Sequence, residues 1–325
     1  MRRVFISGPV PAAGVQCLDD DTQIEVTRNT TDQRMTSDAI VEASRGCDGL
    51  LSMLYDPLGA ETIERLSVKV IANFAVGYDN IDVDAATARG IAVVNTPGVL
   101  TEATADMAWA LLLGSARRLG EGHDLVRSGA FHGWHPDMLL GGAVHGQTLG
   151  ILGMGRIGAA VARRARGFGM TILYHNRAPR PDLDQELGTR WVTMEELAER
   201  SDFLSVHMPL TPGTRGLIGA DLLRRMKSTA YLVNTARGEV VDEDALLQAL
   251  REGWIAGAGL DVFAHEMDGI DPRWFDAPNV LLAPHLGSAT VQTRTAMARL
   301  AAEGLAAVLR GDRPKNLVNP NALAA

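Results

Sequence analysis

The chain has 325 residues, 46% hydrophobic and 22% charged, with a formal net charge of −8. That composition is enough to bury a full core and excludes a disordered, fibrous or low-complexity chain, and the acidic balance gives no support to nucleic-acid binding. The two cysteines, Cys17 and Cys47, cannot build a disulfide framework or a cysteine metal site, so a reducing compartment is expected.

The opening residues, Met1-Arg2-Arg3-Val4-Phe5-Ile6-Ser7, hold too short an apolar run for a signal peptide. The longest apolar stretch, near Met107 to Leu113, is much too short to span a bilayer. The expectation is therefore a soluble, cytoplasmic protein of two domains. Short apolar runs predict strands at 3–7, 23–27, 49–53, 69–73 and 91–94, with helices between them at about 11–19, 38–45, 60–66 and 82–89. Ser37 or Asp38 is a candidate cap for the second helix. Strands alternating with helices imply a parallel sheet covered on both faces. After the turn Asn95-Thr96-Pro97-Gly98, a helix over about 102–119 is apolar on nearly every side and is expected to be buried. The Gly- and His-rich stretch 120–147 has weak periodicity and reads as a loop or arm. A second α/β series follows, with strands at 148–152, 171–174, 203–206, 231–234, 255–260 and 280–283 and helices near 156–167, 194–200, 219–226 and 242–251. A final helix over about 290–310 precedes a tail that reads as irregular.

Gly153-Met154-Gly155-Arg156-Ile157-Gly158 fits G-x-G-x-x-G directly after a strand and at the start of a helix. The first glycine permits the tight turn, the second lets backbone approach a pyrophosphate, and the third lets helix and strand pack closely. The helix N-terminus adds free N–H groups and the positive end of a dipole. In this setting the motif points to a dinucleotide; a structural turn or an S-adenosylmethionine site is the alternative. NAD sites place an acid about twenty residues further on, against the ribose 2′-hydroxyl. Here Asn176 stands at that place, flanked by Arg177 and Arg180, with no carboxylate between Met170 and Pro181. Arginine can hold a 2′-phosphate that a carboxylate would repel, which favours NADP(H) and leaves NAD(H) possible. Alternatively, both arginines are solvated loop charges.

Three further segments follow strands: Asn234-Thr235-Ala236-Arg237-Gly238, the run from Leu260-Asp261 to Glu266, and Pro284-His285-Leu286-Gly287-Ser288. Ligands bind at the carboxyl ends of strands in open parallel sheets, so Arg237, Glu266 and His285 are candidates to converge. A protonated histidine can donate to the oxygen of a carbonyl that accepts hydride, and a carboxylate beside it favours the imidazolium. A fixed arginine can hold a substrate carboxylate and polarise the carbonyl. Taken singly, Arg237 fits a surface ion pair, Glu266 a solvated charge, and His285 a capping or core histidine.

The chain resembles the D-2-hydroxyacid dehydrogenase family, most closely its glyoxylate and hydroxypyruvate reductases. The matching stretches begin with Ala75-Val76-Gly77-Tyr78-Asp79-Asn80-Ile81-Asp82, Thr101–Asp106 and the glycine motif. They continue with His207-Met208-Pro209-Leu210-Thr211-Pro212-Gly213-Thr214, Asn234–Asp242, Leu260–Phe263 and Pro284–Thr290, covering nearly the whole chain in family order. The resemblance implies two Rossmann-like doubly wound α/β domains with the active site in the cleft between them. Residues 1–99 plus 291–325 would form the substrate domain. Residues 100–290 would form the dinucleotide-binding domain, with a dimerisation arm at about 120–147. It implies Arg237 as substrate arginine, Glu266 as the acid pairing with His285, and His285 as proton donor. Asp261 would orient the nicotinamide carboxamide, and the N–H groups of Val76 and Gly77 would cradle the substrate carboxylate. Thr104, Pro209, Thr214, Thr235, Ala236 and Gly287 fall at or beside cofactor-lining positions. Leu54, in Gly49–Leu54 followed by Asp56, would contact the substrate. Trp134, in Trp134-His135-Pro136, would reach the partner's active site in a homodimer and limit substrate size. The implied partner is a small 2-keto acid, with no nucleic acid and no membrane.

There is a departure: Ala264-His265 precede Glu266 and Met267 follows it, where the family commonly has an acid or Pro after Asp-Val-Phe and Glu-Pro at the acid. The alternatives to a small-acid reductase are an NADH-linked member acting on a bulkier keto acid and a dinucleotide-sensing binding protein. His132, His135 and His145 read as loop histidines rather than a metal site. Asp19-Asp20-Asp21 reads as a solvated turn, and Arg163, Arg164 and Arg166 as facing water.

Overall fold

The computed structural model describes residues 1–31 and 33–323. The chain divides into two compact units, Met1–Leu100 with Ser288–Ala325, and Thr101–Gly287.

The first unit alternates β1 (Arg2–Ile6), α1 (Ala12–Asp19), β2 (Ile24–Arg28), α2 (Ser37–Ala43), β3 (Gly49–Ser52), α3 (Ala60–Arg65), β4 (Val70–Asn73), α4 (Val83–Ala88) and β5 (Ala92–Val94). The five strands form one parallel sheet in the order β2-β1-β3-β4-β5. Alternate residues of each strand serve opposite faces, as a period of two requires. Val4, Ile6, Leu51, Val70 and Val94 pack with α1 on one face; Phe5, Leu50, Ile71 and Val93 pack with Ile40, Ile63 and Ala86 on the other. Such runs are apolar on both sides because helices cover both faces. The cap of α2 is Thr36, not Ser37 or Asp38; its side chain accepts from Ala39 N at 3.2 Å. Asp19 pairs with Arg28, so the acidic turn is not solvated throughout.

The second unit opens with α5 (Thr101–Ala116), followed by α6 (Leu119–Arg127). It continues through β6 (Thr148–Leu152), α7 (Arg156–Ala165), β7 (Thr171–His175), α8 (Pro181–Leu187), β8 (Arg190–Trp191), α9 (Met194–Arg200) and β9 (Phe203–Val206). The last elements are α10 (Ala220–Arg225), β10 (Tyr231–Asn234), α11 (Glu243–Glu252), β11 (Gly257–Leu260) and β12 (Val280–Leu282). The strands form a seven-stranded parallel sheet in the order β12-β11-β10-β9-β6-β7-β8. Chain order reverses between β6 and β9, the switch point at which doubly wound sheets open a crevice at their carboxyl ends. One face carries Leu152, Leu204, Leu232 and Leu260 under α9, α10 and α11. The other carries Leu149, Ile151, Phe203 and Val233 under α5, α7 and α8. As expected, α5 is buried along much of its length; Trp109 Nε1 donates to Val161 O at 3.1 Å.

Two expectations need correction, and the irregular tail has a fixed place. The stretch read as loop or arm begins with the helix α6, which buries no residue. Arg164 does not simply face water: it is half-buried and ion-paired with Glu102 and Asp106, while Arg163 pairs with Glu186. After α12 (Val291–Arg310), which returns the chain to the first unit, the tail is ordered against β5. Leu317 bridges Val94 antiparallel, and Val318 N donates to Val93 O at 2.7 Å. No helix among the described residues is long and apolar enough to cross a membrane.

Candidate active site

The glycine loop joins β6 to α7 at the switch point. Gly153 has φ +100°, and a Cβ there would lie 2.8 Å from the His207 carbonyl. A Cβ on Gly158 would run into the Gly153 carbonyl. Gly155 differs: a Cβ there would meet nothing within 4 Å. Internal packing therefore explains the first and third glycines but not the second, which leaves the backbone bare toward open space. The first bond of α7 runs from Ala159 N to Gly155 O at 2.9 Å. The N–H groups of Arg156, Ile157 and Gly158 thus find no acceptor among the described residues. Bare backbone, three free donors and a helix dipole fit a dinucleotide pyrophosphate.

Asn176 follows β7 and is committed to this loop. Its Oδ1 accepts from Met154 N at 2.7 Å, and its carbonyl accepts from Trp191 Nε1 at 2.9 Å. The two arginines beside it differ. Arg180 makes a two-pronged pair with Asp182, at 2.9 and 2.6 Å, and lies 3.3 Å from Met154 O. Of these two arginines, Arg177 is exposed and is the one without a carboxylate partner among the described residues.

The charged residues gather at the carboxyl ends of β10, β11 and β12. Asn234 shapes the first loop, accepting from Ala236 N at 3.0 Å and donating to Arg237 O at 2.8 Å. Arg237 is half-buried and extended, with one guanidinium N–H donating to Ala236 O at 2.8 Å. The next residue is glycine because a Cβ there would run into the backbone of Phe263 and Ala264. That close approach sets the Arg237 loop against the loop carrying Glu266. In the Glu266 loop, Ala264 N donates to Glu243 Oε1 at 2.8 Å and Phe263 N lies 3.4 Å from Glu266 Oε2. The unusual residues around Glu266 leave its contact intact: Glu266 Oε1 lies 2.7 Å from His285 Nδ1.

His285 sits at φ +55°, a left-handed conformation rare for a residue with a Cβ. Asp261 holds it there. The Asp261 carbonyl accepts from His285 N at 2.9 Å, and its carboxylate oxygens accept from Leu286 N at 2.6 Å and Gly287 N at 2.7 Å. Burial raises the Asp261 carboxyl above its ordinary value, against the pull of those two N–H groups and of His285. With Nδ1 engaged by Glu266, Nε2 is the ring nitrogen left to face a substrate. The other histidine near the loop cannot share the task. His207 bonds Ser205 Oγ through Nε2 at 2.8 Å, and burial pushes its pKa down to about 3, so it stays neutral.

Of the remaining expected residues in this unit, Thr104 is buried on α5 with its side chain beside Gly287. Thr235 is buried, and its hydroxyl has no hydrogen-bond partner among the described residues. Thr214 closes its own turn, with Oγ1 2.8 Å from both Pro209 O and Thr211 N, so it shapes the 209–214 loop. Trp134 is 79% exposed. In the first unit, Leu54, Val76 and Gly77 are half-buried in loops after β3 and β4. Glu243, Asp182 and the asparagines around 75–77 carry no motif signal in the sequence; Asp182 lies just beyond the acid-free stretch between Met170 and Pro181. Among the described residues no group of three or more His, Cys, Asp or Glu is placed to hold a metal ion.

Residues 109–287 match the family described as D-isomer specific 2-hydroxyacid dehydrogenase, NAD binding domain. The chain is 51% identical to a glyoxylate reductase of Korarchaeum cryptofilum, covering 98% of this chain and 96% of that protein. Among solved structures, it superposes on a glyoxylate reductase from Paecilomyes thermophila with a TM-score of 0.87 at 35% identity, covering 98% of each chain. An NADPH-dependent glyoxylate/hydroxypyruvate reductase from Sinorhizobium meliloti, in complex with NADP and malonate, superposes with a TM-score of 0.87 at 36% identity, covering 99% of this chain and 97% of that one.

Proposed function

The chain belongs to the D-isomer specific 2-hydroxyacid dehydrogenase family, and from that membership we propose that it is an NADPH-dependent reductase of small 2-keto acids, glyoxylate and hydroxypyruvate foremost. The product is the 2-hydroxy acid, of D configuration where C2 is stereogenic. The observation that carries this reading is the His285–Glu266 pair at 2.7 Å, set beside the Arg237 loop by Gly238.

The glycine loop, the N–H groups opening α7 and Arg177 would hold the dinucleotide, which when bound would supply hydride to C2 of the keto acid. As charge builds on the carbonyl oxygen, His285 Nε2 donates its proton there. Glu266 keeps the ring oriented through its contact with Nδ1. Arg237 holds the substrate carboxylate and draws electron density toward the oxygen. Val76 and Gly77 offer backbone N–H groups to a substrate carboxylate. Arg177 takes the 2′-phosphate, which favours NADPH over NADH. Trp134, on the exposed arm of a homodimer, narrows the partner's pocket to two- and three-carbon acids.

The test is a matrix of kcat/KM values for glyoxylate, hydroxypyruvate, pyruvate and phenylpyruvate with each reduced dinucleotide. The two small polar acids with NADPH are expected to lead. Preference for phenylpyruvate with NADH would keep the family chemistry but remove both the clamp and the size limit. Tight dinucleotide binding without oxidation by any acid would favour a sensing protein instead.

A further inference from the structure

We propose that Asn95 is a positioning residue for the substrate carboxylate, acting by fixing the peptide that presents the Gly77 N–H; this rests on the function proposed above. Three consecutive carbonyls after β4 are each held from the chain's own side. Ala75 O accepts from Thr96 N at 2.9 Å, Val76 O from Asn95 Nδ2 at 2.8 Å, and Gly77 O from Asn73 Nδ2 at 2.8 Å. All peptide bonds among the described residues are trans. In a trans peptide the N–H points opposite to the C=O. The bond on Ala75 O therefore aims the Val76 N–H away from the 95–96 segment, and the bond on Val76 O does the same for the Gly77 N–H. Among the described residues no acceptor takes either N–H. A hydrogen bond at the oxygen of a peptide also polarises it and makes its N–H a better donor. The result is a pair of oriented donors suited to an anion.

Asn95 is itself fixed from far along the chain. It is buried, its carbonyl accepts from Asn316 Nδ2 at 2.7 Å, and its N–H donates to Asn316 O at 3.2 Å. The ordered tail after α12 therefore sets the backbone that aims the Asn95 side chain. Thr96 helps through its main chain, which any residue but proline would supply. Asn95 is the residue whose side chain the arrangement requires.

The experiment compares wild type with Asn95→Ala and, as control, Asn319→Ala. Asn319 is an equally buried tail asparagine that holds Val93 N at 2.7 Å and Ile91 O at 2.9 Å and makes no bond to 75–77. The readouts are KM and kcat for glyoxylate with NADPH, and the Kd of oxalate for the dinucleotide-loaded protein. Asn95→Ala is expected to raise KM and the oxalate Kd on the order of tenfold, as for loss of one charge-assisted hydrogen bond, with kcat little changed. Asn319→Ala is expected to lower Tm while leaving KM and Kd near wild type. An unchanged KM and Kd in Asn95→Ala, or an equal rise in Asn319→Ala, overturns the inference. Should wild type bind oxalate but reduce no keto acid, the proposed function fails and the oxalate comparison alone decides the role of Asn95. A wild type that shows no turnover and no oxalate binding overturns both. If Asn95→Ala does not fold, Asn95→Ser, whose hydroxyl stops short of Val76 O, takes its place.

Discussion

Arg177 and Arg180 stand three positions apart and look alike in sequence, yet their surroundings separate them. Arg180 is already neutralised by Asp182, whereas Arg177 has no carboxylate partner among the described residues. Arg177→Asp is expected to lower the NADPH-to-NADH ratio of kcat/KM by about tenfold to a hundredfold, the scale of a charged hydrogen bond. Arg180→Ala is expected to change the ratio much less. Equal effects of the two variants would remove the distinction. The residue types of the site were legible from motif spacing, because Arg237, Glu266 and His285 each follow a strand. Their partners were less so. Asn95 depends on Asn316, more than two hundred positions away, and no local pattern announces such a bond.

Elements carrying strong periodicity or β-branched runs were read within a few residues of their bounds. Two helices were harder to see: α6 opens Leu119-Gly120-Glu121-Gly122, and two glycines mask helix propensity. The polar α8 begins on a proline, which suits the first helical position but reads as a loop signal. At this scale the site depends on two loops meeting at Gly238. Gly238→Ala would drive a methyl into the Phe263 carbonyl, so one loop must move. Overpacking of this kind costs about 1–3 kcal/mol. Both a lower Tm and a fall in kcat of at least tenfold are expected, since displacing a positioned group by an ångström is costly. Wild-type kcat in this variant would show that the contact between the loops does not position the site.

For the whole molecule, the two parallel sheets were legible because βα alternation restricts the topology. The ordering of the tail on β5 was not, since its side chains bond backbone far away in sequence. Global stability carries a pH signature from Asp56, which is buried with Oδ1 unpartnered among the described residues while Oδ2 takes Ser7 Oγ and, at 2.8 Å, Met53 N. Burial raises its carboxyl above the ordinary value, outweighing those two bonds and Arg34. A raised folded value means that the native state holds the proton more tightly than the unfolded chain. Its contribution to stability is complete below the unfolded value of about 3.9 and is lost as pH rises through the folded one. Asn at this position keeps the shape and both acceptor bonds without the charge. The Tm of Asp56→Asn relative to wild type is therefore expected to climb from acid toward neutral pH and then level off. A difference independent of pH would contradict the assignment.

In the function proposed above, His285 donates the proton as a small 2-keto acid is reduced. The most direct test is the rate of glyoxylate-dependent NADPH oxidation by wild type and by His285→Gln, measured side by side at saturating dinucleotide. Loss of a positioned general acid costs about 10²–10⁴-fold, so the variant is expected to fall at least a hundredfold while still binding NADPH. Equal rates in the two proteins would exclude His285 as the proton donor.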